Sequence, residues 1–100
     1  MDGSLWEADA NHGTVTELSL DDGTPVGEPI DIGGEPIALA VGPEALWVAD
    51  KARDRAIRVD PATGAQEQVD VGQRPVAIDV GAGAVWTANA GDETVSRIER

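Results

Sequence analysis

Apolar and polar residues alternate along this chain in short bursts of five or six, broken by glycine, proline and aspartate. The middle of the chain shows it best. In Pro36 to Val41 the apolar Ile37, Leu39 and Val41 alternate with small Ala38 and Ala40. Ala45 to Ala49, Ala56 to Val59 and Gln66 to Val71 follow as three further bursts. A period of two places alternate side chains on opposite faces of an extended segment, so each burst predicts a strand. The breaks are turn signals: Gly42-Pro43, Asp60-Pro61-Ala62-Thr63-Gly64 and Gly72-Gln73-Arg74-Pro75. Pro61 arrives with the φ that a tight turn needs, and Gly64 can supply a positive φ after it. No window of helical length carries an apolar stripe free of glycine and proline, so the prediction is all-β.

The pattern repeats. Trp6, Trp47 and Trp86 are spaced by 41 and 39 residues, inside the matching segments Leu5-Trp6-Glu7-Ala8-Asp9, Leu46-Trp47-Val48-Ala49-Asp50 and Val85-Trp86-Thr87-Ala88-Asn89. Val15 to Leu18, Ala56 to Val59 and Val95 to Ile98 recur at the same offsets. Asp31-Ile32-Gly33 and the following Pro36 to Val41 return as Asp70-Val71-Gly72 and Pro75 to Val80. Units of about 40 residues, approximately 1-33, 34-72 and 73-100, follow from these matches. Four antiparallel strands per unit at that period is the sequence signature of a β-propeller blade.

The residues also carry a family resemblance. Ala84-Val85-Trp86-Thr87-Ala88-Asn89, the Thr94-Val95-Ser96-Arg97-Ile98 run, the Asp60 to Gly64 turn and the Val71 to Pro75 step resemble YVTN/NHL-type propeller repeats. The virginiamycin B lyase-like propellers belong to that broad group. The resemblance spans nearly the whole chain and implies blades; such blades serve enzymes, sensors and interaction modules alike.

Strand counting gives an incomplete set. The first unit begins at a second strand (Ser4 to Ala10), with Thr14 to Leu20 and Val26 to Ile32 after it. The middle unit has all four, and the last ends after its third. About two and a half blades are too few, since rings close with four to eight. Self-association into a closed propeller is therefore expected, most simply as a homodimer, with a higher ring as the other option. Either strands exchange between chains, or the sequence is a piece of a longer or engineered propeller. Trp6, Trp47 and Trp86 are expected to pack between blades, and Leu39, Val41, Ile78 and Val80 near the ring centre. Val48 faces away from Trp47, and its counterparts are polar Glu7 and Thr87. That suits either a wet blade face or tolerance at a half-buried site.

Charge changes the picture in two ways. With 19 acids against 7 bases and a formal net charge of −12, the surface repels phosphate, so neither nucleic acid nor an anionic membrane is an expected partner. Residues 1–50 hold 11 acids and no Lys or Arg, whereas 51–100 hold 8 acids and all 7 bases. Glu17 stands where later units carry Arg58 and Arg97, so Glu17 could meet Arg97 across a junction between chains. There is no cysteine, which excludes disulfides and thiolate metal sites. The compartment stays open: the lack of a basic-then-apolar leader suits cytoplasm, while proteins with such blades are often exported from bacteria.

Candidate chemistry gathers in the loops expected at one end of the blades. That rim holds His12, Glu35, Asp50, Arg53, Asp54, Arg55, Arg74, Asp92 and Glu93. His12 is the single histidine and could serve unaided as an acid/base near neutral pH. The resemblance implies a rim histidine with acids holding magnesium, although those acids find no residue-by-residue match here. Asn11-His12-Gly13 also reads as a plain hairpin tip. Asp21-Asp22 and Asp92-Glu93 lack the spacing of a calcium loop, so no metal and no cofactor is expected. Asp79 replaces Ala40 on the first strand of its unit and is expected to line the channel. The leading expectation is a non-enzymatic scaffold for interaction or ligand binding; the alternative is part of a lyase or sensor whose rim site forms in the complete ring.

Overall fold

The computed structural model describes residues 4–42, 45–81 and 83–99. Among these residues, ten strands form three antiparallel sheets and there is no helix. The first sheet runs β1 (Ser4–Asp9), β2 (Thr14–Ser19), β3 (Ile30–Asp31) in that order. The second is a four-stranded meander of β4 (Pro36–Val41), β5 (Leu46–Asp50), β6 (Arg55–Val59) and β7 (Gln66–Asp70). The third joins β8 (Pro75–Gly81), β9 (Ala84–Asn89) and β10 (Thr94–Glu99). Short turns make sequential antiparallel neighbours, and alternation gives each sheet two faces to bury.

The sheets stack as consecutive layers. One core lies between the first and second sheets: Val15 and Ile32 meet Leu46, Val48, Ile57 and Val59, with Trp6, Ala8, Ile30 and Leu39 against them. The other lies between the second and third: Ala45, Trp47 and Ala56 meet Val85, flanked by Val69, Val71, Ile78, Val80 and Ile98. The middle sheet thus spends both faces on neighbours, and every residue of β5 is buried.

Three details depart from the sequence expectation. The fourth strand of the first unit shrinks to Ile30–Asp31, with one isolated bridge between Leu18 and Pro25. Pro25 and Pro29 have no amide hydrogen to donate to the ladder, and Gly27 adopts a positive φ of 85° between them. A register shift between Pro36 and Ala38 breaks the alternation, leaving Ile37 exposed, and it recurs between Pro75 and Ala77. Val41, expected near the ring centre, is likewise exposed at the end of β4; Leu39, Ile78 and Val80 do pack inward. The Asp60 turn forms as read: Asp60 accepts from the Ala62 amide at 2.9 Å and Gly64 has φ 78°. The Gly42-Pro43 turn runs into residues outside the described set.

Candidate functional site

One edge of the stack collects every turn expected at the rim. These turns are tied by backbone hydrogen bonds: Ile32 and Gly33 donate to Gly13, Lys51 to Glu35, Val71 to Asp54, and Ala90 to Arg74. The turn between second and third strands needs a left-handed residue at one position in each sheet. Gly13, Asp54 and Glu93 fill it, with φ of 69°, 55° and 58°. Asp54 and Glu93 are thus placed by backbone geometry, and Asp54 Oδ1 accepts from the Arg74 amide at 2.8 Å.

The residue that opens each turn sets the local chemistry. In the first sheet it is Asp9. Its Oδ1 accepts from the Asn11 and His12 amides, and its Oδ2 lies 2.7 Å from His12 Nδ1. The His12 side chain itself is 77% exposed. The hydrogen bond from His12 holds the Asp9 carboxyl below its usual pKa. In the second sheet the counterpart is Asp50, fully buried. Asp50 Oδ2 accepts from Arg55 Nε at 2.9 Å, while Oδ1 accepts from the Glu35 and Ala52 amides at 2.9 and 3.2 Å. Arg55 Nη2 continues to the Ile32 carbonyl at 3.4 Å. In the third sheet it is Asn89, whose Nδ2 donates to Thr94 Oγ1 and Ser96 Oγ. Asp50 and Arg55, candidates for the rim, form a buried brace between sheets.

The remaining rim residues scatter along the edge. The Arg53 guanidinium lies over Gly33, and the Arg74 stem over Gly91. Glu35 is fixed through its backbone. Asp92 accepts from the Gln73 amide and from Thr94 Oγ1; the Thr94 hydroxyl, then the amide, hold its carboxyl below the usual range. No three His, Cys, Asp or Glu side chains among the described residues converge as a metal site.

Away from the rim, the outward face of the third sheet is exposed. Cross-strand register sets Asp79 opposite Trp86, Trp86 opposite Arg97, and Ala77 and Val95 opposite Ala88, all on one face. Arg97 stacks 5.4 Å from the Trp86 ring centroid and pairs with Glu99. A shallow hollow of about 190 Å³ lies there, lined by Ala77, Asp79, Trp86 and Val95. Asp79 lies on the first strand of its sheet, on the outward blade face beside Trp86, and its Oδ1 accepts from the Val80 amide. Trp6 and Trp47 pack between sheets as expected, whereas Trp86 is 39% exposed. Glu17 lies on the face turned to the second sheet, in a groove of about 300 Å³ with Trp6, Pro61 and Thr63. That face is opposite to the one a preceding blade would cover, so the acid on the outward face of the first sheet is Glu7. Thr87, read as the mark of a wet or tolerant position, is buried and donates to Asn89 Oδ1.

Sequence reasoning missed the brace of Asp50, Arg55 and Gly34. A Cβ on Gly34 would fall 2.2 Å from Asp50 Oδ2. The signal was present in the repeat, since Asp9, Asp50 and Asn89 occupy one position, directly before the turn.

No protein-family model matches the sequence, and no curated protein matches it. Solved structures do. A chain of the hydrazine synthase of Kuenenia stuttgartiensis superposes with a TM-score of 0.88 at 20% identity, over 97% of this chain and 29% of that one. A chain of a nidogen/laminin complex gives 0.82 at 18% identity, over 97% and 39%. Virginiamycin B lyase of Staphylococcus aureus gives 0.70 at 15% identity, over 99% and 38%. This chain therefore spans between about three tenths and two fifths of those structures. At such identities the likeness concerns the fold alone, and with the three stacked meanders it makes the chain a run of consecutive β-propeller blades, the middle one complete.

Proposed function

We propose that the chain is a non-enzymatic propeller module that associates with itself into a closed ring and offers its rim as a binding scaffold. One observation carries the reading. Trp47 and Ala56 in the second sheet are 5% and 0% exposed, buried against the third. Their repeat counterparts Trp86 and Val95 are 39% and 67% exposed on the outward face. A surface that the repeat uses as a blade junction is thus presented to solvent. Apolar burial near 25 cal/mol per Å² favours covering it. The opposite end supports the reading, with Leu5 also exposed.

Two copies stacked head to tail supply six sheets, within the range of closed propellers. Solution mass by light scattering tests this. A dimer, or a larger closed ring, that falls to monomer on Trp86→Glu supports it; a well-folded monomer at high micromolar concentration refutes it.

A second reading rests on the exposed His12 with its Asp9 partner: a rim enzyme completed by ring closure. Some structural neighbours are enzymes, including a streptogramin B lyase and a glutaminyl cyclase of Myxococcus xanthus. Turnover of a streptogramin B that His12→Ala abolishes without altering solution mass would establish it.

A further inference from the structure

Each sheet sets one residue directly opposite its tryptophan. In the second sheet Arg58 faces Trp47. In the third Arg97 faces Trp86 and stacks 5.4 Å from the ring centroid. In the first the place falls to Glu17, opposite Trp6. A carboxylate thus replaces the arginine that the repeat sets against its tryptophan, and a groove of about 300 Å³ lies beside it. The exposed Glu28 adds a second carboxylate, and Val26, Pro29 and Pro61 supply apolar walls. The groove lies where Pro25, Gly27 and Pro29 break up the outer strand, whose counterpart β7 runs without interruption from Gln66 to Asp70. Its lining belongs to two adjacent sheets and their connections, so it stands whether or not a ring closes. It borders the Asp60 to Gly64 turn rather than the rim turns.

We propose that this groove is a binding site for an arginine side chain of a partner polypeptide. The guanidinium takes the place at the Trp6 ring that Arg97 takes at Trp86, and donates to the carboxylates of Glu17 and Glu28. A planar cation meets both demands at once: the ring face attracts it, and its fork of N–H groups matches carboxylate oxygens. A lysine ammonium is more strongly hydrated and has no plane to stack. Glu17 need not give up the contact it already makes, because a carboxylate accepts from several donors. The formal charge of −12 draws a basic segment towards the protein. The indole points to a peptide as the source. Trp6 Nε1–H is buried with no acceptor. A main-chain carbonyl beside the arginine can accept from it after a small tilt of the ring, which a bare guanidinium cannot do.

The probe is a capped Gly-Arg-Gly peptide titrated into the intact protein at about 0.15 M salt. The indole N–H resonances of the three tryptophans, assigned by triple-resonance spectra, report binding. A saturable shift of Trp6 is expected, with Trp47 and Trp86 unmoved. The citrulline peptide, a neutral isostere, binds about tenfold more weakly, and the lysine peptide and butylguanidinium are also weaker. Glu28→Gln weakens binding about threefold. Glu17→Arg supplies the guanidinium from within and abolishes binding while circular dichroism matches the parent. Should that variant unfold, Glu28→Lys carries the same test from an exposed position. Absence of a Trp6 shift at millimolar peptide overturns the proposal. So does a shift centred on Trp86, equal affinity for the citrulline or lysine peptide or for butylguanidinium, or undiminished binding to the folded charge-reversal variant.

Discussion

The buried carboxylate of Asp50 ties two sheets together, and Asp50→Ala measures how much depends on it. Three donors converge on it: Arg55 Nε and the amides of Glu35 and Ala52. Glu35 belongs to the connection entering the second sheet, and Arg55 reaches back to the Ile32 carbonyl in the same connection. Truncation leaves the Arg55 guanidinium buried without its counter-charge. Breaking a buried pair in this way costs about 3–5 kcal/mol, much of the roughly 5–15 kcal/mol that keeps a domain folded. With a urea slope of ~1.5 kcal/mol per M, the midpoint falls by roughly 2–3 M. Urea titration followed by fluorescence of Trp47, which sits 5% exposed in the second junction, reads it directly, with circular dichroism checking that the transitions coincide. The third sheet supplies a control. At the same two positions it has Asn89 and Thr94, bonded at 3.2 Å without formal charge. Asp50→Asn with Arg55→Thr transplants that neutral pair, and its loss stays below half that of Asp50→Ala. A single variant within about 0.5 M of the parent midpoint, or a double variant as damaged as the single, would refute the brace.

Other outcomes follow from the same geometry. Gly34→Ala places a Cβ 2.2 Å from Asp50 Oδ2 at a φ of 59°, and lowers stability by about 2 kcal/mol or more in the same titration. Gly64→Ala has a φ of 78° but open space around it, so backbone strain alone costs about 1 kcal/mol. Ile57→Ala empties the first core and costs about 2–5 kcal/mol. Asp92 is held below its ordinary pKa by Thr94 and the Gln73 amide. Its contribution is complete above the unfolded value of 3.8 and is lost as pH falls through the lower folded one. Melting temperatures between pH 6 and pH 2 therefore fall less steeply for Asp92→Asn than for the parent.

Much of the fold was legible because a forty-residue repeat states its strands more than once. Trp6, Trp47 and Trp86 fixed the second strands, and cross-strand alternation fixed which faces pack. Legibility failed where a local break overrode the period. The slips after Pro36 and Pro75 turned Ile37 and Val76 outward, which alternation alone does not reveal. Pro25, Gly27 and Pro29 reduced a seven-residue expectation to two residues. The facing of Glu17 was misjudged for a related reason: it was read by place in the blade rather than by the residue opposite, Trp6. Of the site, the rim was legible as a set of loops. Its inward brace was not, because Asp50 and its exposed counterpart Asp9 look alike in sequence and differ only in what the following strand brings, Arg55 or Thr14.

Polarity grades around the arc, and the grade bears on how a ring would hold. The face meeting the first sheet offers Val48, Ile57 and Val59. Its counterpart in the second junction offers Thr87, Ser96 and Ile98, with Thr87 satisfied internally by Asn89. The outward face of the first sheet offers Glu7, Thr16 and Leu18 at the same positions, with Glu7 exposed. Each step exchanges apolar area for groups that keep water or need partners, so a junction built on Glu7 and Thr16 gains less from burial than either internal one. Charge does not close the gap: an exposed pairing of Glu7 with Arg97 contributes only ~0–1 kcal/mol. The two internal junctions therefore hold the three sheets together before any second copy arrives, and a ring closed through the outer faces would open at those seams first.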